Sequence, residues 1–486
     1  MRSSFTRTFD HMRPLWLALF AVLAACGGTT DRSTAKNLVL IVLDTTRPEF
    51  LSVYGHDQPT SPNLEAFAKE GTRFDRAYSV SSWTLPAHAS MFTGVDPDRH
   101  GATQQHLTYD ADIPLLAERL TDAGYDTFGV SNNPWVAQKS GLSRGFSGFV
   151  DAWRRKGKKR LKKGHRTVRA TRNWLQKDWD RDKPFFVFIN LIEPHMPYEP
   201  PWKNAEAFVA DKATWKADRT RYFDTARGLA VRHYGGEEPV TEEEWAAVRA
   251  LYAGELHHVD AITQELLTTI DAHSAPENTT VIITSDHGEN IGDHGHVGHV
   301  FSVYDTTLRA VMLARGPGFK PGVRDDLVSV ADVYPTLLGA AGVDIPATTT
   351  GRDLREEPTN DRVLRASYGR PGQAFRAFPK RMRQSELKAH RRSFRAAIGS
   401  RYKVIRSSNG VTEWFDLQND PHERQPLDPS TVPEATRERL EAELKPAPNA
   451  PAVPPDDESS EISELEPEDE GDAETTEALR ALGYVE

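Results

Sequence analysis

The run Asn37-Leu-Val-Leu-Ile-Val-Leu43, which leads directly into Asp44, decides the fold. Successive apolar side chains leave neither face of a strand for water, so the segment predicts a strand buried on both sides, as in parallel sheets. Comparable runs occur at 185–190, 280–284 and 310–314, and amphipathic helical patterns span 62–70, 113–123, 245–272 and 330–341. Strands alternating with helices predict an α/β fold, a large mostly parallel sheet with helices on both faces. In such sheets chemistry collects beyond the carboxyl ends of the strands, and Asp44 stands at one of those ends.

A second strand ending, Thr284-Ser-Asp286-His287-Gly288-Glu289, brings a carboxylate and an imidazole to the same edge. With Asp44 they make a mixed oxygen and nitrogen site suited to a divalent cation. Each aspartate alone could equally cap the helix that follows it. A third element is Ser82-Trp-Thr84-Leu-Pro86-Ala-His88-Ala-Ser-Met-Phe-Thr-Gly94. Proline in its first turn and glycine beyond its last predict a short helix with Thr84 near the positive end, which favours an oxyanion. Thr84 is then either an N-cap or a nucleophile, and its hydroxyl is weak at neutral pH unless a cation activates it.

These segments stand in order with Arg47-Pro48, Ser61-Pro-Asn-Leu64, Gly71-Thr-Arg-Phe74, Glu193-Pro-His195-Met-Pro-Tyr198, Gly298-His299 and Arg309 to Pro317. They are followed by Tyr402-Lys403, Trp414-Phe-Asp-Leu417, Asn419-Asp-Pro421 and Leu482-Gly-Tyr484. The whole order resembles the sulfatase family of the alkaline phosphatase superfamily. That resemblance implies a small C-terminal α+β subdomain beside the main sheet. It implies one divalent metal ion held by Asp44, Thr84, Asp286 and His287, with Thr84 as nucleophile. It also implies that Arg47, His195 and His299 contact an anionic ester, the two histidines donating a proton or stabilising charge. Either histidine alone could be a satisfied structural residue.

The departures from the family alter the expected chemistry. Sulfatases carry a cysteine or serine, oxidised to formylglycine, at the head of a CxPxR motif; here the run reads Thr84-Leu-Pro-Ala-His88. Threonine is a secondary alcohol whose oxidation would give a ketone, so no formylglycine is expected. His88 replaces the motif's arginine and joins Thr84, His195 and His299 as a catalytic candidate. A formylglycine hydrate releases sulfate by elimination, whereas a threonine ester must be opened by water or an acceptor alcohol. Phosphate or phosphonate ester chemistry is therefore favoured over sulfate ester hydrolysis. His299 stands where the family usually has lysine, and Thr45 where many members have a second aspartate. Loss of that carboxylate, with His287 as ligand, favours manganese or zinc over calcium or magnesium. The spacing of Asp293, His294 and His296 does not suit a second zinc. Two alternatives stay open: a phosphoethanolamine-type transferase acting on cell-envelope glycans, and a catalytically inactive surface binding protein.

Sixty basic against 70 acidic residues, a formal charge of −10, argue against a nucleic-acid partner. Arg2 and Arg7 precede an apolar run from Leu15 to Ala25 and then Cys26, the only cysteine. The run is too short to span a bilayer and suits a signal peptide, and Leu23-Ala-Ala-Cys26 resembles the bacterial lipoprotein cleavage box. The expectation is a signal peptide over 1–25, lipidation of Cys26, and export with anchoring to the cell envelope. No thiol would then remain for disulfides or catalysis. Ordinary cleavage and an uncleaved anchor are the alternatives. The organisation expected beyond is a linker over 26–36, a catalytic domain over 37–345, a small subdomain over 346–440, an acidic disordered segment over 445–475 and a terminal segment over 476–486. Residues 154–163, eight of ten basic, read as a solvated helix face or as attraction to anionic lipid or substrate. Specificity for an anionic ester, on a cell-envelope glycan or lipid, is expected from that run and from loops at 202–241.

Overall fold

The computed structural model describes residues 37–154, 163–223, 228–236, 238–359, 361–370, 372–376, 378, 382 and 386–446. Eight strands build the main sheet: β1 Asn37–Leu43, β2 Thr72–Phe74, β3 Asp126–Ser131, β4 Gly148–Asp151, β5 Phe185–Leu191, β6 Thr279–Thr284, β7 Met312–Arg315 and β8 Gly322–Arg324. Their order is β8-β2-β7-β6-β1-β5-β3-β4. The block from β6 to β4 is parallel throughout, and β7 enters antiparallel between β6 and β2. All seven residues of β1 are buried, with Leu38 opposite Phe186 on one side and Thr280 on the other. Two paired edges and two covered faces are what an unbroken apolar run requires. The expected α/β fold with its mostly parallel sheet is the one observed.

Helices Pro62–Lys69, Leu116–Asp122, Glu242–Asp271 and Val333–Ala340 fall within or close to the amphipathic patterns. The longest starts in a capping box: the Thr241 side chain accepts from the Glu244 amide and Glu244 reaches back to the Thr241 amide. Its buried face carries Trp245, Val248, Leu251, Tyr252, Leu256 and Val259.

Three expectations need correction. The run at 310–314 is not one strand: Arg309–Ala310 pairs with Ala77–Tyr78 in a separate small sheet, and only Met312–Arg315 joins the main one. The segment 202–241 is not loop but holds helices Trp202–Ala205, Lys212–Phe223 and Gly228–Gly235. The parallel strand β3 was not anticipated because Asp126, Thr127 and Gly129 interrupt its apolar character. Gly129 is required there by packing, since a Cβ would lie 2.4 Å from the Phe149 ring.

The C-terminal subdomain is a four-stranded antiparallel sheet, β9 Leu364–Tyr368, β10 Phe394–Ile398, β11 Tyr402–Ser407 and β12 Thr412–Asp416, in that spatial order. Helix Glu434–Glu443 packs Leu440 into a cluster with Ala397, Val404 and Trp414. Fully buried Lys403 of β11 joins it to the main body, donating to Asp305 Oδ1 at 2.7 Å and facing Glu423 Oε1 at 2.6 Å. Among the described residues no helix is long and apolar enough to cross a membrane. The segment expected to be a signal peptide, Cys26, residues 155–162 of the basic run, residues 447–475 of the expected acidic segment and the terminal segment lie outside the described residues.

Candidate active site

Parallel neighbours end at the same edge, so adjacent strands deliver their next residues to one place. In sheet order, β6 supplies Asp286 and His287, β1 supplies Asp44, β5 carries Asn190 and β3 leads to Asn133. One ligand atom from each of Asp44, Asp286 and His287 lies within 4.8 Å of the others, and all three residues are fully buried.

Their hydrogen bonds leave a defined gap. Asp44 Oδ2 accepts from Asn133 Nδ2 at 2.8 Å and Asn190 Nδ2 at 3.3 Å, while Oδ1 is buried without a partner. Asp286 Oδ1 accepts from the amides of Thr45 at 3.1 Å and His287 at 2.9 Å, while Oδ2 has no partner. The imidazole Nδ1 of His287 donates to the Gly288 carbonyl at 2.9 Å, which leaves the Nε2 lone pair facing the site. Two orphaned carboxylate oxygens beside an imidazole lone pair are costly in a protein interior unless a cation completes them. The donor set therefore fits a divalent metal with mixed oxygen and nitrogen ligation. Without one, burial and then the charge of Asp286 hold the Asp44 carboxyl well above the usual carboxylate range, and burial raises Asp286 as well. Burial pushes His287 down to about 4, so its ring is neutral at pH 7 and free to ligate.

Helix Thr84–Thr93 brings a hydroxyl to this gap. Trp83 is its N-cap, with no side-chain capping bond, so Thr84 does not spend its hydroxyl on the helix end. Thr84 Oγ1 lies 3.4 Å from His287 Nε2 and 3.5 Å from Asn133 Nδ2. The helix stops at Gly94, whose φ of +69° is left-handed and where a Cβ would strike Thr349 and Tyr334. His88, one turn along, donates from Nδ1 to the Thr84 carbonyl at 2.9 Å, and its Nε2 faces Asn190 Nδ2 at 3.4 Å. Burial pushes His88 down to about 3. It is thus a neutral strut between the helix and the Asn190 amide, with both ring nitrogens engaged inside the protein.

A second imidazole group adjoins the first. The His299 ring packs 4.5 Å from that of His287, centroid to centroid, and its Nε2 lies 3.2 Å from His195 Nε2. Both Nδ1 atoms face carbonyls: His299 that of Ser82 at 3.1 Å, and His195 that of Met196 at 2.5 Å. Facing ring nitrogens at that distance can hydrogen-bond only when one of them carries a proton, so the two rings are placed to pass a proton between them. Burial, and then His287, push His299 well below its usual value. Trp83 packs against the His299 ring.

Arg47 is placed differently from the expected substrate contact. Its buried guanidinium binds Asp293 Oδ2 at 2.6 Å, the Glu289 carbonyl at 2.9 Å and the Glu49 carboxylate, and it lies over the Phe50 ring. It braces the loop after β1 against the loop after His287. Asp293 is the partner of Arg47, and His294 stacks on Tyr304 with centroids 3.9 Å apart. Sequence reasoning missed Asn133 and Asn190, which orient Asp44. The available signal was an amide at the end of an apolar strand, and it becomes legible only once the strand order is known.

Fold and site together define an ester hydrolase of the α/β class, with a hydroxyl at a helix N-terminus beside a carboxylate and imidazole cluster. The Sulfatase family model matches residues 36–343, and that of the N-sulphoglucosamine sulphohydrolase C-terminal region matches 292–449. The chain belongs to the sulfatase family. It is 22% identical to an N-acetylglucosamine-6-O-sulfatase of Bacteroides thetaiotaomicron, over 82% of this chain and 84% of that one. Among solved structures, a protein in complex with its substrate D-glucosamine-2-N,6-O-disulfate superposes with a TM-score of 0.66 at 17% identity, covering 85% of this chain and 97% of the other. A phosphonate monoester hydrolase of Agrobacterium radiobacter gives 0.64 at 22% identity, covering 83% and 93%.

Proposed function

We propose that the protein is a metal-dependent hydrolase that cleaves a phosphonate or phosphate ester through a covalent ester on Thr84, and that it works exported and anchored at Cys26. The observation that carries this reading is the Thr84 hydroxyl, unused in capping, 3.4 Å from His287 Nε2 beside two partnerless carboxylate oxygens. Asp44, Asp286 and His287, with Thr84, would hold manganese or zinc. When bound, such an ion lowers the pKa of the hydroxyl and offsets charge on the group transferred. Thr84 Oγ1 attacks the phosphorus, and the amides at the start of its helix face the developing oxyanion. The His195–His299 pair gives a proton to the departing oxygen and takes one back from the water that opens the Thr84 ester, while Thr84 releases its proton to solvent before attack and regains one as its oxygen leaves. Asn133 and Asn190 hold Asp44, and His88 holds Asn190.

Sulfate ester hydrolysis is the second reading, favoured by the family and by the sulfated substrates in the names of its relatives. The chain stripped of metal and reloaded with manganese, zinc, calcium or magnesium should be assayed on matched aryl phosphonate monoester, phosphodiester, phosphate monoester and sulfate. Metal-dependent turnover that favours the phosphorus esters supports the proposal. Turnover of sulfate alone overturns the substrate class, and turnover indifferent to metal overturns the mechanism. Cys26→Ala should release the protein from membranes in its native host.

A further inference from the structure

Between the short sheet that pairs Arg309–Ala310 with Ala77–Tyr78 and the C-terminal subdomain lies a cleft of about 360 Å³, toward the small end of the range for ligand pockets. Arg76, Tyr78, Asp305 and Arg309 line it from the main body, and Ser400 and Gln418 from the subdomain. None of these six belongs to the carboxylate and imidazole cluster of the active site.

Both arginines are partly buried, and among the described residues neither forms an ion pair. Their hydrogen bonds run to carbonyls: Arg76 donates to Ser400 at 2.5 Å and Gly399 at 3.4 Å, and Arg309 donates to Asp75. Arg309 lies over the Tyr78 ring, 5.4 Å from its centroid, and its Nε is buried without a partner. The carboxylate that lines the cleft is already engaged, since Asp305 Oδ1 accepts from Lys403 at 2.7 Å and Oδ2 from Tyr78 Oη at 3.0 Å. Asp305 and Glu49 therefore act on Arg309 through space, without a bond. A guanidinium taken out of water without a bonded counter-charge is costly. Its planar fork of donors matches the paired oxygens of a carboxylate or sulfate group.

We infer that this cleft binds a small organic anion, a carboxylate or sulfate group carried on a body about the size of one sugar ring, with Arg76 and Arg309 holding the charge. The occupant touches main body and subdomain together, so its binding stabilises the docking of one on the other.

The test is titration calorimetry of the full chain in EDTA, with glucuronate as the anionic sugar, inorganic sulfate as the bare anion and glucose as the neutral control. Glucuronate should bind the parent and raise its melting temperature, and glucose should do neither. Arg76→Gln should weaken glucuronate about tenfold to a hundredfold, the value of one hydrogen-bonded charge contact. Gln418→Trp fills the cleft from the subdomain side and should also weaken glucuronate at least about tenfold. It keeps the test open if Arg76→Gln folds poorly, because Gln418 is exposed and its amide bond to Asp416 Oδ1 is a backbone bond. Parent-like glucuronate affinity in both variants places the anion elsewhere and overturns the inference. A parent that binds neither anion overturns it too, and one that binds sulfate but not glucuronate overturns the sugar-sized ligand.

Discussion

Replacing Asp44 with asparagine should stabilise the metal-free protein while abolishing its chemistry. Asp44 and Asp286 are fully buried, with ligand atoms within 4.8 Å of each other. At that separation and an effective dielectric of about 20, two full charges repel by about 3.5 kcal/mol. The pair sheds part of this by retaining a proton, which is why both carboxyls are raised, and about 2–3 kcal/mol remains for the substitution to relieve. Asparagine suits the site: its oxygen can take the place of Oδ2 and accept from Asn133 and Asn190, and its amide can point where Oδ1 stood, toward the orphaned Oδ2 of Asp286. The sign with pH follows from the direction of the shifts. A carboxyl raised in the folded state contributes stability that is complete below its ordinary value near about 3.9 and is lost as pH rises through the raised value. The advantage of Asp44→Asn should therefore be smaller at pH 5 than at pH 8. Thermal unfolding in EDTA at the two pH values measures it, the gain at pH 8 being roughly 2–3 °C for a protein of this size. Manganese should raise the melting temperature of the parent and leave the variant nearly unmoved. A variant that melts below the parent at pH 8 in EDTA, or an offset indifferent to pH, would refute the reasoning.

Asn133→Ala removes the shorter amide bond to Asp44 Oδ2 and should weaken metal binding about tenfold to a hundredfold, read by calorimetry, with little change in secondary structure by circular dichroism. Arg47→Met breaks the bonds to Asp293 and the Glu289 carbonyl. It should cost about 2–3 kcal/mol in urea unfolding, and a KM that stays near the parent value in the folded fraction would agree with a bracing role, whereas a large KM rise with unchanged stability would restore the substrate contact. His299→Ala should lower kcat about a hundredfold to ten-thousandfold on esters with poor leaving groups and far less on 4-nitrophenyl esters, because only the former need the proton.

β1 could be read from the sequence because a strand paired on both edges and covered on both faces has no polar residue to accommodate until its end, at Asp44. β3 could not, since Gly129 answers to packing against Phe149, Thr127 to the Gly145 carbonyl and Asp126 to the Asp180 amide rather than to a repeating pattern. Asp286 and His287 were legible because they follow a strand directly. Asn133 and Asn190 were not, because what makes them partners of Asp44 is the order β6-β1-β5-β3, which no local pattern carries. Arg47 illustrates the same limit. Its partner Asp293 lies 246 residues away, and in sequence an arginine beside a metal-site aspartate reads as an anion contact. The left-handed Thr45 has no sequence signature at all, since threonine rarely adopts that conformation unless the fold imposes it.

The nucleophile can be caught directly. Metal-loaded protein mixed with a fast-leaving aryl phosphonate or phosphate ester, quenched in acid during turnover and digested, should yield the peptide between Arg76 and Arg99 carrying the transferred phosphorus group on Thr84, and Thr84→Ala should yield neither adduct nor turnover. An unmodified Thr84 peptide while product accumulates, or a Thr84→Ala variant with parental kcat, would contradict the account.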